Sequence, residues 1–208
     1  MTSTDTDEQE IEFLWIDFES DGTDPSLCHI IEAGVIATGA DLENEFFTID
    51  TMIVDGDVNE AIANIEANPV LKPMHGDNGL LADLYRVRDG EVNAMTIQEF
   101  DQHLYNLVKT YNRSNKKLII SGSGVAHYDH PVVKAKMPHT ASLFQFFARD
   151  IGHTRREFLY ANGYDLIDVN ANKNHRAFAD ITDHLNETKA FRDFFRKAVL
   201  AIAITGTE

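Results

Sequence analysis

Ile11-Glu12-Phe13-Leu14-Trp15-Ile16-Asp17-Phe18-Glu19 is an apolar run that breaks into two carboxylates one residue apart. Alternate residues of an extended strand point to one face, so Asp17 and Glu19 stand side by side at the end of a buried strand. Two like charges placed there repel unless a cation lies between them. Oxygen donors of this kind suit Mg²⁺ or Mn²⁺, ions that act where phosphoryl oxygens complete the coordination. The stretch therefore predicts a strand with metal-assisted phosphodiester chemistry at its end. An isolated Asp-x-Glu is more often a solvated strand edge, and the remainder of the chain decides between the two readings.

Working outward, the turn formers of Asp21-Gly22-Thr23-Asp24-Pro25 separate this run from a second apolar run over residues 30–38. Phe46, Phe47, Ile49 and Ile53 mark a third strand over residues 44–54, ended by Asp55-Gly56-Asp57. The three read as a meander. From Thr96, the residues Ile97, Phe100, Leu104, Leu107, Val108 and Tyr111 recur at three- and four-residue steps, the spacing of an amphipathic helix. Leu118-Ile119-Ile120 then reads as a short buried strand, followed by the glycine loop Ser121-Gly122-Ser123-Gly124 and a helical stretch reaching Met137-Pro138. Phe178, Ile181, Leu185, Phe191, Phe194, Phe195 and Val199 keep near-helical spacing in a last long helix, with Asn174 or a neighbour as its cap. Strands followed by packing helices predict an α/β fold, a mixed sheet covered by helices.

The 208 residues, 43% of them apolar, suffice for one domain with a full core, expected over residues 11–208 behind an acidic disordered tail over residues 1–10. No apolar stretch reaches membrane-spanning length and the polar, acidic start is unlike a signal peptide, so a soluble, cytoplasmic protein with no membrane partner is expected. Cys28, the single cysteine, cannot form an internal disulfide and reads as a small buried hydrophobe. The formal net charge of −16 argues against gripping a long duplex, because that grip needs many Lys and Arg contacts to phosphates. A nucleic-acid substrate is expected to be short or single-stranded.

Asp129, His175 and Asp180 join Asp17 and Glu19 as the residues whose chemistry fits together. In a two-metal phosphodiesterase, carboxylates hold two cations that activate water and stabilise the leaving oxygen. An imidazole titrating near neutrality suits the proton-accepting role. The five-residue step from His175 to Asp180 turns an ideal helix through roughly 500°, about 140° from a shared face. The spacing therefore places His175 on the loop before the helix and Asp180 within its first turns.

With these residues assembled, the chain resembles the DEDDh 3′→5′ exonucleases and, among them, the oligoribonuclease family. Trp15-Ile16-Asp17-Phe18-Glu19 is similar to the first motif of that family, followed by Gly22-Thr23-Asp24-Pro25 and Ile30-Ile31-Glu32. His75-x3-Gly79-Leu80 resembles a substrate-side motif, His127-Tyr128-Asp129 with Met137-Pro138 the second acidic motif, and His175 through Asp180-Ile181 the last. The resemblance implies a ribonuclease H-like mixed sheet flanked by helices and a two-ion site for Mg²⁺ or Mn²⁺ held by Asp17, Glu19, Asp129 and Asp180. It implies His175 as general base, and Thr23, His75 and Leu80 on the substrate side; Phe18, which flanks the carboxylates, either packs in the core or stacks on a base as a further substrate-side residue. The implied reaction is release of 5′-mononucleotides from short single-stranded RNA or DNA, and the implied assembly is a homodimer.

The chain also departs from the family pattern. Oligoribonucleases usually carry Leu at the position of Thr23, Trp at that of Val70, Ser at that of Val125 and a His-Tyr-Arg run where this chain has Gln145-Phe146-Phe147. Those residues are associated with gripping a dinucleotide, so the catalytic set is better supported than a dinucleotide preference, and Arg149 is the nearest stand-in for the missing Arg. Two readings from other classes stand beside this one. His127-x-Asp129-His130 is superficially similar to half of a zinc-hydrolase motif, with Val125 where its first His should be. A catalytically inactive acidic binding module on the same fold is the other.

Overall fold

In the computed structural model of the protein, which describes residues 10–167 and 174–205, the opening run forms strand β1, Phe13–Ser20. Leu14, Ile16 and Phe18 on one face and Phe13 and Trp15 on the other are all buried. A strand covered on both sides reads as a continuous apolar run rather than an alternation. β2 (Ile30–Thr38) pairs antiparallel with β1, and β3 (Glu45–Val54) antiparallel with β2, so the expected meander is present. β4 (Ala94–Thr96), β5 (Ile119–Gly122) and β6 (Arg149–Asp150) are short and pair parallel with β3, β1 and β5. The sheet order is β4-β3-β2-β1-β5-β6.

Helices cover both faces. The helices between β3 and β4 are α1 (Val58–Ala67), α2 (Leu71–Asp77) and α3 (Leu80–Arg88). They close a small cluster in which Ala61, Ile62, Ile65, Leu80 and Leu84 meet Ile31 and Met52 of the sheet. On the even-numbered face of β1, α4 (Ile97–Tyr111) and α5 (Asp129–Lys136) bury Leu14, Ile16 and Phe18 against Phe100, Leu104, Val108, Val132 and Val133. Thr96 caps α4 in a reciprocal box with Glu99. After the short α6 (Pro138–Ala141) comes α7 (Ile151–Asn162), and then the 29-residue α8, Ala177–Thr205. α8 lies on the odd-numbered face, where Ile181 and Leu185 pack on Phe13, Trp15 and Ile36. α7 adds Phe158 against Phe191 and Phe194 of α8.

Several expectations change. Asp17 and Glu19 stand at the end of β1 as expected, one residue short of its last residue Ser20, whereas α1, α2, α3 and α7 were not anticipated. Asn174 does not supply the cap of α8: the N–H of Ala177 donates to the Glu32 carboxylate, delivered from β2, at 2.9 Å. Cys28 is buried as expected. Residues 1–9 of the expected acidic tail lie outside the described residues. Among the described residues no helix is long and apolar enough to cross a membrane.

Candidate active site

Asp17 and Glu19 follow Trp15 on the face of β1 that α8 covers, and Asp180 sits in the first turn of that helix. Carboxylate oxygens of Asp17, Glu19 and Asp180 lie within 4.8 Å of one another. The approach of α8 depends on Gly34, the cross-strand partner of Asp17. A Cβ on Gly34 would stand 2.5 Å from the backbone carbonyl carbon of Ala177 and 2.6 Å from the N of Phe178, so only a glycine lets the helix start settle there. Asp129, at the start of α5 after the glycine loop, is not one of this group of three, but its charge acts on Asp17. Its Oδ1 accepts from the Phe18 N–H at 3.0 Å. The bond also explains the odd-even split at this point: the Phe18 backbone serves the site while its ring turns away, 5% exposed, edge-on to Phe100.

The electrostatics are those of an anionic cluster in need of a cation. Burial, and then Asp129, Glu19, Asp180 and Glu32 in turn, hold the Asp17 carboxyl well above the usual carboxylate range. Burial and the same neighbours push Glu19 up to about 8, with Arg176 pulling the other way. Asp129 is pushed up to about 7 by burial, partly offset by the Phe18 N–H, with Asp150 adding to the rise. Carboxylates that raise one another in this way are ordinary once divalent cations share the site. All the donors are hard oxygens, the set that fits Mg²⁺ or Mn²⁺. No histidine belongs to the group of potential ligands among the described residues. His130 is buried edge-on to Phe144, and exposed His127 meets His153 edge-on. The half-motif of a zinc hydrolase is therefore not assembled.

His175 lies on the loop two residues ahead of α8, as its spacing from Asp180 required, with a left-handed backbone at φ 47°. Its carbonyl oxygen accepts from the Asn78 side chain at the turn between α2 and α3. The next residue, Arg176, donates from Nε and one terminal nitrogen to Oε1 of Glu32 at 2.8 and 2.5 Å and reaches Oδ2 of Asp83 at 3.0 Å. His75 is fully buried, its Nε2 3.2 Å from the Ser20 carbonyl, and burial first, with His175 adding, holds its imidazole below the usual range.

The substrate-side residues are corrected in part. Phe18 and Leu80 are buried in two separate apolar clusters, and His75 has no exposed surface, so none of the three lies open to a ligand. A strand neighbour of a carboxylate faces the opposite side of the sheet, and Leu80 starts a helix whose inner face closes the α1–α3 cluster. Thr23 is exposed, as are Leu27 in the same loop and Val70 ahead of α2. Arg149 does not stand in as a substrate contact: its guanidinium lies over the rings of Phe13 and Trp15, at 4.9 and 5.6 Å from their centroids. Sequence reasoning overlooked the supports Asn78, Asp150 and Arg176, and it quoted Glu32 within a motif without giving it a role. Glu32 carried a visible signal, a single charge inside the apolar run over residues 30–38. Asp150 caps α7 through Gly152 N–H at 3.0 Å and accepts from Gly124 N–H at 3.1 Å, pinning the glycine loop that leads to Asp129.

No family model matches the chain. Curated relatives do. The oligoribonuclease of Dichelobacter nodosus is 26% identical over 186 residues, spanning 86% of this chain and 92% of the relative. That of Arabidopsis thaliana is 24% identical over 188 residues, spanning 89% and 78%. The chain is thus similar to oligoribonucleases over most of its length. Among solved structures, E. coli exonuclease I in complex with a 5cy-dT13 oligonucleotide superposes with a TM-score of 0.58 over 89% of this chain at 16% identity. The zinc ion bound form of the E. coli exonuclease I–ssDNA complex superposes with a TM-score of 0.56 at 14% identity. These likenesses establish the fold. The chain spans about two fifths of the length of the exonuclease I chain in the first of them, 41%.

Proposed function

We propose that this chain, a 3′→5′ exonuclease by its kinship to the oligoribonucleases, releases 5′-mononucleotides from the 3′ end of short single-stranded nucleic acid at the site on β1 and α8. The observation that carries the reading is the meeting of Asp17, Glu19 and Asp180 oxygens within 4.8 Å, contributed by the first strand and the last helix. In it, Asp17, Glu19, Asp129 and Asp180 hold two divalent cations, Mg²⁺ or Mn²⁺. When bound, the ions supply charge neutralisation at the phosphoryl oxygens and acidify water. His175 accepts the proton of the attacking water as its oxygen bonds to phosphorus. The bond from phosphorus to the 3′ oxygen of the preceding nucleotide breaks, and that oxygen departs with the shortened strand. Asp129 is bonded to the Phe18 N–H, and the helix start that carries Asp180 packs on Gly34 through Ala177 and Phe178, which fixes where the two residues stand.

Matched 5′-labelled RNA and DNA heptamers incubated with Mg²⁺ or Mn²⁺ test the reading. Stepwise shortening with 5′-mononucleotide release is expected, abolished by EDTA and by Asp17→Ala or Asp129→Ala with the fold intact. Full activity in either mutant would remove these residues from the site, and endonucleolytic fragments would overturn the direction of attack.

A further inference from the structure

His175 adopts a left-handed backbone that non-glycine residues rarely hold, and it is followed directly by a partly buried charged network. Two separate attachments fix it. Before it in space, the Asn78 amide donates to the His175 carbonyl oxygen while its own Oδ1 accepts from Leu80 N–H at 2.9 Å, so the amide is locked in orientation by the start of α3. After it in sequence, Arg176 clasps Glu32, which is 1% exposed, with two nitrogens and Asp83 of α3 with a third at 3.0 Å. The other Glu32 oxygen accepts from Ala177 N–H at 2.9 Å. His175 is therefore held between β2 and the α2–α3 turn by residues outside the proposed metal ligands, of which Glu32 and Arg176 also act electrostatically on Glu19.

We propose that Asn78 and Arg176 are positioning residues for His175: together they fix the imidazole-bearing loop against the sheet and the α2–α3 turn so that the base is in place before substrate arrives. The proposal rests on the reading of His175 as the base. A guanidinium fork on a buried carboxylate is directional in a way a lysine is not. The Asn78 bond adds a second attachment, and neither residue needs to touch substrate to act.

The test is a mutant cycle read by single-turnover hydrolysis of a labelled heptamer with Mn²⁺. Arg176→Lys and Asn78→Ala are each expected to lower the maximal rate about 10- to 100-fold, within the range that general-base catalysis supplies. The half-saturating substrate concentration and the Mn²⁺ affinity measured by calorimetry should stay within threefold. In a His175→Ala background the same substitutions should cost nothing further, because a residue acting only through His175 has nothing left to position. The rate, but not Mn²⁺ affinity, should therefore be non-additive. Losses that multiply in the double mutants, or a Mn²⁺ affinity that falls with the rate, overturn the proposal and leave the base assignment standing. A wild-type rate for His175→Ala overturns the base assignment, and the proposal with it. Asn78→Ala keeps the test decisive if Arg176→Lys misfolds, since it leaves the Glu32 pair intact.

Discussion

Glu19, 8% exposed among the carboxylates of Asp17, Asp129, Asp180 and Glu32, is stabilised by protonation in the folded chain far more than an exposed carboxylate, whose pKa lies near 4. The folded state therefore binds its proton more tightly than the unfolded state, and without metal the stabilising effect is lost as pH rises through its value of about 8. Asp129, at about 7, acts in the same direction. His75 acts oppositely: its lowered pKa favours the folded state as pH rises, but only up to its ordinary value near 6.5. The clean window is thus pH 6.5 to 8. In EDTA, melting temperature is expected to fall across it, and Glu19→Gln should melt higher than the parent and with a flatter slope. Saturating Mn²⁺ should lift the parent curve, since binding only the folded state stabilises it. A parent curve that is flat or rising in EDTA contradicts the picture. The charged residues of this site were legible in the sequence because their chemistry is narrow. Asp17, Glu19 and Asp180 were picked out by residue type and spacing, and their oxygens meet in the fold. Asn78 and Arg176 were not legible, because an amide or a guanidinium becomes a support only through where its partner lies in space.

Among the elements, the long periodic ones were readable and the short ones were not. α4 carries an unbroken apolar stripe and a Thr96–Glu99 capping box, so sequence alone marks its start. Removing the cap by Thr96→Ala is expected to cost about 1 kcal/mol of stability in urea denaturation, without altering Mn²⁺ affinity. A change in the slope with urea rather than the midpoint would mean that the fold itself had changed. α1, α2 and α3 hold seven to ten residues each, below the length at which helices stand alone. They exist because Ile31 and Met52 offer an apolar floor, which no local pattern reports. The cap of α8 failed for the same reason: its acceptor, Glu32, comes from a strand 145 residues earlier.

For the molecule as a whole, a net charge of −16 and a site of gathered carboxylates leave little electrostatic attraction for a long polyanion. Short strands should be preferred, but not dinucleotides alone. Thr23 and Val70 are both exposed where the oligoribonuclease pattern has a Leu wedge and a Trp wall, and aromatic stacking is worth roughly 1–3 kcal/mol per base. In direct competition, a 5′-phosphorylated dinucleotide and a heptanucleotide are expected to show comparable kcat/KM. A dinucleotide preference above about 100-fold, about 2.7 kcal/mol, would mean that other residues of this chain, exposed Leu27 among them, restore the grip.

The glycine opposite Asp17 limits which mutational paths are open to this protein. What a side chain at position 34 would strike is the main chain of Ala177 and Phe178, not a side chain that could be trimmed. No compensating replacement elsewhere can therefore make room. The start of α8 has to move, and Asp180 moves with it. A residue with no functional group thus sets the spacing between carboxylates from opposite ends of the chain, and a single methyl there is a lesion that second-site suppressors in neighbouring side chains cannot repair.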